Sequence, residues 1–152
     1  MTNKEILEIA LEQSAVDCSC SAEDFLQAEN RVVLSKPHRN ARKYLPLPLE
    51  CDLVSYGNNI VAQVSERLAG IVSVYIEKYP VEHCFETPNI NALNDALAAY
   101  NLKVCFMAEY FLPDLTQLKE LPCEFETRVL HKGDFSDLYT DCLLYTSPSP
   151  RD

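Results

Sequence analysis

Four side chains in the middle of the chain are of types that could bind or activate a small molecule. Tyr56, Asn58 and Asn59 surround a glycine, where a phenol and two carboxamides could line a pocket. Glu109 lies inside an apolar run, and a carboxylate in such surroundings is a candidate general base. Each also has a structural explanation, because asparagine is common in turns and an acidic residue is common at an exposed strand end. The four predict a pocket without a complete catalytic set.

One dense group of basic residues precedes the centre of the chain. It is the stretch HRNARK, from His38 to Lys43, and it follows a predicted strand. Such a loop could contact an anion or a phosphate, or it could be an ordinary solvated connection. The whole chain carries 13 Lys and Arg against 23 Asp and Glu, a net charge of -10, so nucleic acid is not an expected partner.

The seven cysteines do not form a metal-binding pattern. They contain no C-x-x-C pair and no histidine at matching spacing, so no metal site is predicted. Most are expected to be small buried residues kept reduced. The close pair, Cys18 and Cys20, suits a turn between helices. The full set is Cys18, Cys20, Cys51, Cys84, Cys105, Cys123 and Cys142.

The elements that must position these residues centre on the stretch from Cys51 to Tyr79. Asp52 to Tyr56 alternates polar and apolar residues, and the Gly-Asn-Asn sequence that follows predicts a tight reversal. Ile60 to Val64 returns as a second strand. Ser65 is placed to cap a long amphipathic helix that ends before Pro80. The prediction is an α/β domain in which amphipathic helices cover a mixed sheet with a central hairpin.

Shorter patterns on either side predict the remaining elements. Thr2 and Glu5 fit a capping box, and Thr87-Pro88 predicts the start of a helix with Thr87 as its cap and Pro88 at its first position. The run from Leu102 to Leu112, which contains Glu109, is bulky and apolar enough to predict a buried strand. The other predictions are helices at Asn3 to Gln13 and Ser21 to Ala28, strands at Arg31 to Leu34, Val81 to Phe85 and Phe125 to Leu130, and a helix from Asp134.

No stretch of the sequence predicts a membrane segment. No apolar run approaches the roughly 20 residues that a helix needs to cross a bilayer. The first residues, MTNKEILEIALEQ, include acidic side chains where a secretory leader would be apolar. We therefore expect a cytoplasmic protein with no membrane partner.

Several stretches resemble known acetyltransferases. FETRVLHKGDFSDLY resembles the opening strand and first helix of the GNAT N-acetyltransferase fold. CDLVSYGNNIVAQV, HCFETPNINALNDAL and VCFMAEYFLPD resemble an amino-terminal region that some bacterial GNAT enzymes carry before their catalytic domain. The resemblance runs from about Arg31 to Tyr139. It implies an amino-terminal α/β domain at residues 1–122 and the start of a GNAT domain at residues 123–141.

The resemblance implies transfer of an acetyl group from acetyl-CoA to an amine. The family holds the cofactor pyrophosphate on an Arg/Gln-x-x-Gly-x-Gly/Ala loop at a helix start. The three glycines of this chain, Gly57, Gly70 and Gly133, are too far apart for that loop. No catalytic or cofactor-binding residue can therefore be assigned, and we expect this fragment to be inactive and not to bind acetyl-CoA. The acceptor amine is not specified.

Residues 142–152, CLLYTSPSPRD, resemble an in-frame translation of a sequencing-library adapter. A disordered Ser/Pro-rich tail is the alternative. The adapter interpretation makes this stretch non-native and explains why the GNAT-like part ends after its first helix.

Two other functions stay open. One is a self-sufficient α/β ligand-binding or regulatory module, with the hairpin and the Leu102 strand framing a pocket. The other is an interaction domain that self-associates through an unpaired sheet edge.

Overall fold

The computed structural model describes residues 1–119, 122, 124–126 and 131. The chain divides into two units, residues 1–118 and residues 119–152, and every helix and strand below lies in the first. Most of the predicted strand at 125–130, the helix from Asp134 and the adapter-like residues 142–152 lie outside the described residues. The domain boundary at residue 122 therefore stays a prediction.

The described part contains four α-helices, two short 3-10 helices and three strands. The α-helices are α1 (Asn3–Cys18), α2 (Ala69–Lys78), α3 (Val81–Cys84) and α4 (Thr87–Ala98). The 3-10 helices are Ala22–Leu26 and Glu66–Leu68. The strands are β1 (Arg31–Leu34), β2 (Cys51–Val54) and β3 (Val61–Val64).

The sheet has the order β1-β3-β2, with β3 in the centre. β3 runs parallel to β1, with Arg31 opposite Val61, and antiparallel to β2, with Cys51 opposite Val64. The predicted α/β class with a mixed sheet is confirmed, and so is the central hairpin. The parallel neighbour of β3 is β1, which precedes the hairpin in sequence. β2 lies between β1 and β3 in sequence, but in the sheet it pairs with the other edge of β3.

Helices cover both faces of the sheet. On one face, Val61 packs in a cluster with Leu11 of α1 and Phe25 of the first 3-10 helix. On the other, Ala62 and Val64 pack with side chains of α2 and α4. Successive residues of a strand point to opposite faces, so a strand covered on both sides must be buried at every position, as β3 is.

Helix α1 starts at the predicted residue and ends later than predicted. The Glu5 amide donates to Thr2 Oγ1 at 3.2 Å, and the Thr2 amide donates to Glu5 Oε2 at 2.6 Å, so the capping box is confirmed. The helix continues from Gln13 to Cys18 because its last turns are buried beside the sheet. The residue after the helix, Ser19, is its C-cap and adopts a left-handed conformation with φ 59°.

The long helix predicted after Ser65 is a 3-10 turn followed by α2. The Ser65 hydroxyl does not cap it and instead donates to Glu50 Oε2 at 2.7 Å. Val72, Tyr75 and Ile76 form its buried face, and the helix ends before Pro80 as predicted. The buried face places α2 against the sheet.

The residues after Pro80 form the short helix α3, so the prediction of a strand at residues 81–85 is wrong. The amides of His83 and Cys84 both donate to the Pro80 carbonyl at 2.9 Å. Local hydrogen bonds to the preceding proline satisfy the backbone there, and no partner strand is needed. The next predicted helix is confirmed as α4. Its N-cap is Glu86, so Thr87 is the first helical residue and the prediction that Thr87 caps the helix is wrong.

The strand predicted from Leu102 to Leu112 is absent, and the segment is an irregular chain. Leu102 and Val104 pack on the cluster around α2 and α4, and the Val104 amide donates to Asn94 Oδ1 at 2.7 Å. The prediction failed because a strand needs a partner edge as well as apolar residues. Residues 106–112, which we call the apolar run, are all exposed.

Within the described residues, no helix combines the length and the apolar character that crossing a membrane requires.

Candidate functional site

Tyr56, in the connection between β2 and β3, is a half-buried packing residue. Its hydroxyl shares a hydrogen bond of 2.9 Å with Ser14 Oγ of α1. Its ring meets the edge of Phe25, with 5.2 Å between the ring centroids. Tyr56 therefore joins the hairpin to α1 and the first 3-10 helix.

Asn59 is fully buried and ties a neighbouring loop to the hairpin. Its Nδ2 atom donates to the carbonyls of Asp24, at 2.7 Å, and Glu29, at 2.8 Å. Its Oδ1 atom has no hydrogen-bond partner among the described residues. The carboxamide thus fixes the segment that leads into β1.

Asn58 and Glu109 are exposed. Within the described part of the chain, no hydrogen bond or ion pair connects Glu109 with Tyr56, Asn58 or Asn59. Of the four predicted pocket residues, Tyr56 and Asn59 therefore pack within the domain, and Asn58 and Glu109 lie on its surface.

Replacing Asn59 by alanine should lower the free energy of unfolding by about 2 kcal/mol, because the carbonyls of Asp24 and Glu29 lose a fully buried donor. The matched control is Asn58→Ala, at the exposed neighbouring position, which should change stability by less than about 0.5 kcal/mol. Urea denaturation of both variants measures the difference. Equal losses would contradict the structural role of Asn59.

A buried carboxylate that the sequence interpretation missed lies at the end of α1. Asp17 is 2% exposed. Its Oδ1 atom accepts from the Arg42 amide at 2.9 Å and from Gln13 Nε2 at 3.0 Å, and its Oδ2 atom accepts from Arg42 Nε. Asp17 therefore binds the basic loop through both the main chain and the side chain of Arg42.

Gln63, in the middle of β3, extends this polar network. Its Nε2 atom donates to the Asp17 carbonyl at 3.0 Å, and its Oε1 atom accepts from Ser35 Oγ at 2.9 Å. Ser35 Oγ in turn accepts from the Leu49 amide at 2.8 Å. The network joins α1, the centre of the sheet and both ends of the loop between β1 and β2.

Asp52 on β2 faces the same network. Burial raises the pKa of its carboxyl above the ordinary value, and the nearby Arg42 charge and Gln63 amide oppose this rise only in part. A raised folded pKa means that the folded state binds the proton more tightly. Asp52 therefore contributes stability below the unfolded pKa, and this contribution is lost as the pH rises through the folded pKa.

The variant Asp52→Asn should become progressively more stable relative to the native chain as the pH rises from about 4 to 7, because the amide does not ionise. Asp95→Asn changes the same charge at an exposed position and serves as control. Denaturation midpoints across this pH range test the prediction. A difference that is constant with pH would contradict it.

The basic loop encloses a surface cleft of about 410 Å³. Arg42 is already engaged by Asp17 and lies over the Tyr44 ring, with its guanidinium carbon 5.7 Å from the ring centroid. Arg39 and Lys43 are exposed, and no described carboxylate lies within ion-pair distance of either. The cleft is lined by Pro37, His38, Arg39, Ala41, Arg42, Lys43, Leu45 and Leu47.

A second cleft, of about 340 Å³, lies between α2 and α4 and is mostly apolar. Val74, Tyr79 and Ala96 contribute to its walls, and Lys78 supplies its one cation. It offers apolar contact and no arrangement of groups for acid-base chemistry.

The close cysteine pair is not a reactive site. Burial raises the pKa of the Cys18 thiol well above its ordinary value and that of Cys20 to about 11, so both thiols are protonated near neutral pH. In the part of the chain that the structure describes, no cluster of three His, Cys, Asp or Glu side chains could hold a metal ion.

No protein-family model matches the chain, and no curated protein or solved structure is significantly similar to it.

Proposed function

We propose that this chain is the amino-terminal domain, with the start of the catalytic domain, of a GNAT N-acetyltransferase. The parent enzyme would transfer an acetyl group from acetyl-CoA to an amine, with the enzyme positioning the thioester and removing a proton from the amine. The chain contains no glycine loop for the cofactor, so the proposal gives it no catalytic residue. A cytoplasmic location belongs to the same proposal.

The placement of the sequence stretches that carry the resemblance supports this proposal. Of the four stretches, CDLVSYGNNIVAQV forms the central hairpin, and HCFETPNINALNDAL forms the end of α3 and most of α4. VCFMAEYFLPD contains the apolar run and lies at the surface. Most of FETRVLHKGDFSDLY lies outside the described residues.

The observation that carries the proposal is the exposure of the apolar run. Met107 is 58% exposed, Tyr110 74% and Phe111 86%. Large contiguous apolar surfaces are typical of contacts with other protein, because each Å² removed from water stabilises the contact by about 25 cal/mol. In the proposal, the catalytic domain that follows covers this run.

The experiment is to follow the genomic reading frame beyond Asp141 and express the longer protein. We expect a frame that encodes a glycine loop, and a product that releases CoA from acetyl-CoA when amines are supplied. The amine panel should contain small amines, polyamines, peptides and antibiotics. The present chain, with no glycine loop, should not be stabilised by acetyl-CoA. Saturable binding of acetyl-CoA to this chain, or a frame that encodes an unrelated fold, would contradict the proposal.

The basic cleft favours a second candidate, a self-sufficient ligand-binding module. This function needs no further domain, so an immediate stop codon after residue 141 in the genome would favour it over the enzyme. A third candidate is an interaction domain that self-associates through a sheet edge, since β1 and β2 are the outer strands of the described sheet. Light scattering on the present and longer proteins would separate it from both.

A further inference from the structure

The basic loop has a fixed shape although it lies at the surface. Its two turns are closed by hydrogen bonds from the Ala41 amide to the His38 carbonyl, at 3.1 Å, and from the Leu45 amide to the Arg42 carbonyl, at 2.9 Å. Asp17 holds the middle of the loop from below through Arg42. A site with side chains presented from a held backbone loses less conformational entropy on binding than a mobile loop would.

Two cations that line the cleft, Arg39 and Lys43, have no ion-pair partner among the described residues. Asp17 and Asp52 interact with the guanidinium of Arg42 instead. Arg39 and Lys43 therefore keep their charge for another partner. This is a local exception on a chain with a net charge of -10, where an anion meets repulsion elsewhere.

His38 adds a further hydrogen-bonding group beside the two cations. Its Nδ1 atom accepts a hydrogen bond of 3.2 Å from the Asn40 amide. The proton of the neutral ring is therefore on Nε2, which can donate to a ligand oxygen. The cleft therefore offers hydrogen-bond donors from Arg39, Lys43 and His38. This set is larger than the two oxygens of a carboxylate need, and it suits the several oxygens of a phosphate group.

The remaining walls of the cleft are apolar, and they restrict the class of ligand. Pro37, Leu45 and Leu47 line it beside the cations. Inorganic phosphate would leave these side chains unused, whereas a phosphate ester would place its organic part against them. We propose that this cleft binds small organic phosphate esters. The inference is independent of the acetyltransferase proposal, because it requires no residue of a catalytic domain.

Isothermal titration of the chain with phenyl phosphate and with inorganic phosphate tests the inference. We expect saturable binding of phenyl phosphate, severalfold tighter than that of inorganic phosphate because of the apolar wall. Failure of phenyl phosphate to bind, or equal affinity for the two probes, would overturn the inference. Binding to phosphatidic acid in phosphatidylcholine vesicles without binding to phenyl phosphate would place the phosphate on a lipid and would also overturn it.

Two double variants that remove the same charge distinguish binding in the cleft from general electrostatic attraction to the chain. The double variant Arg39→Gln, Lys43→Gln should weaken phenyl phosphate binding by roughly ten- to a hundredfold, because two charged donors are lost. The control is Lys4→Gln, Lys103→Gln, which removes the same charge at exposed positions outside the loop and should leave the affinity within about twofold. Equal weakening by both double variants would overturn the inference. All four positions are exposed, so folding should be preserved, and circular dichroism checks this.

Discussion

Replacing Phe25 by alanine is expected to lower the free energy of unfolding by about 3–5 kcal/mol. Phe25 is fully buried and packs between α1 and the hairpin, against Leu11, Val61 and Tyr56. The variant loses the transfer free energy of the ring and leaves a cavity that three rigid elements cannot close. A domain of this size has only about 5–15 kcal/mol of stability, so urea denaturation should show a large shift of the midpoint.

The adjacent residue provides the control for this prediction. Leu26 is 54% exposed, and Leu26→Ala should change the stability by less than about 0.5 kcal/mol. If Phe25→Ala does not fold, Phe25→Leu retains part of the volume and should cost roughly 1–2 kcal/mol. Similar losses for Phe25→Ala and Leu26→Ala would show that the first 3-10 helix is not packed beneath the sheet.

Replacing Asp17 by alanine should destabilise the chain by about 3 kcal/mol, the second largest effect that the structure predicts. The change removes the acceptor of the Arg42 amide and of its Nε atom, and it leaves the Gln13 amide without one of its partners. Arg42 is partly exposed and regains some hydration, which limits the loss. Thermal or urea denaturation gives the magnitude.

The control for Asp17 is a carboxylate on the exposed side of the same helix. Glu12→Ala removes the same charge and should change stability by less than about 0.5 kcal/mol. Arg42→Ala combined with Asp17→Ala should cost much less than the sum of the single losses, because the two residues act as a pair. Additive losses would contradict the contact between them.

The elements that the sequence predicted correctly have strong local signals. The capping box of α1, the Thr-Pro start of α4 and the reversal after Tyr56 each depend on residues close together in the chain. The parallel pairing of β1 with β3 could not be predicted, because it depends on which distant strand lies beside β3 in the folded domain. The apolar run shows the same limit, since apolar content predicts burial without specifying the partner.

The candidate sites show a similar division. The turn residues and the basic loop were visible as local patterns. The link between Gln63 and Asp17 spans 46 positions, and no local spacing reports it. One signal was present, because a glutamine inside an apolar strand and an aspartate among the buried positions of a helix must both find partners. The engagement of Arg42 by Asp17 becomes visible only in the fold.

The central claim of the functional proposal is that a following catalytic domain covers the apolar run. Hydrogen exchange of the amides of residues 106–112 tests it most directly, measured in the present chain and in the longer protein encoded by the genomic frame. We expect rapid exchange in the present chain and slowing by roughly a hundredfold or more in the longer protein, while β3 is protected in both. Equally rapid exchange of these amides in both proteins would contradict the claim.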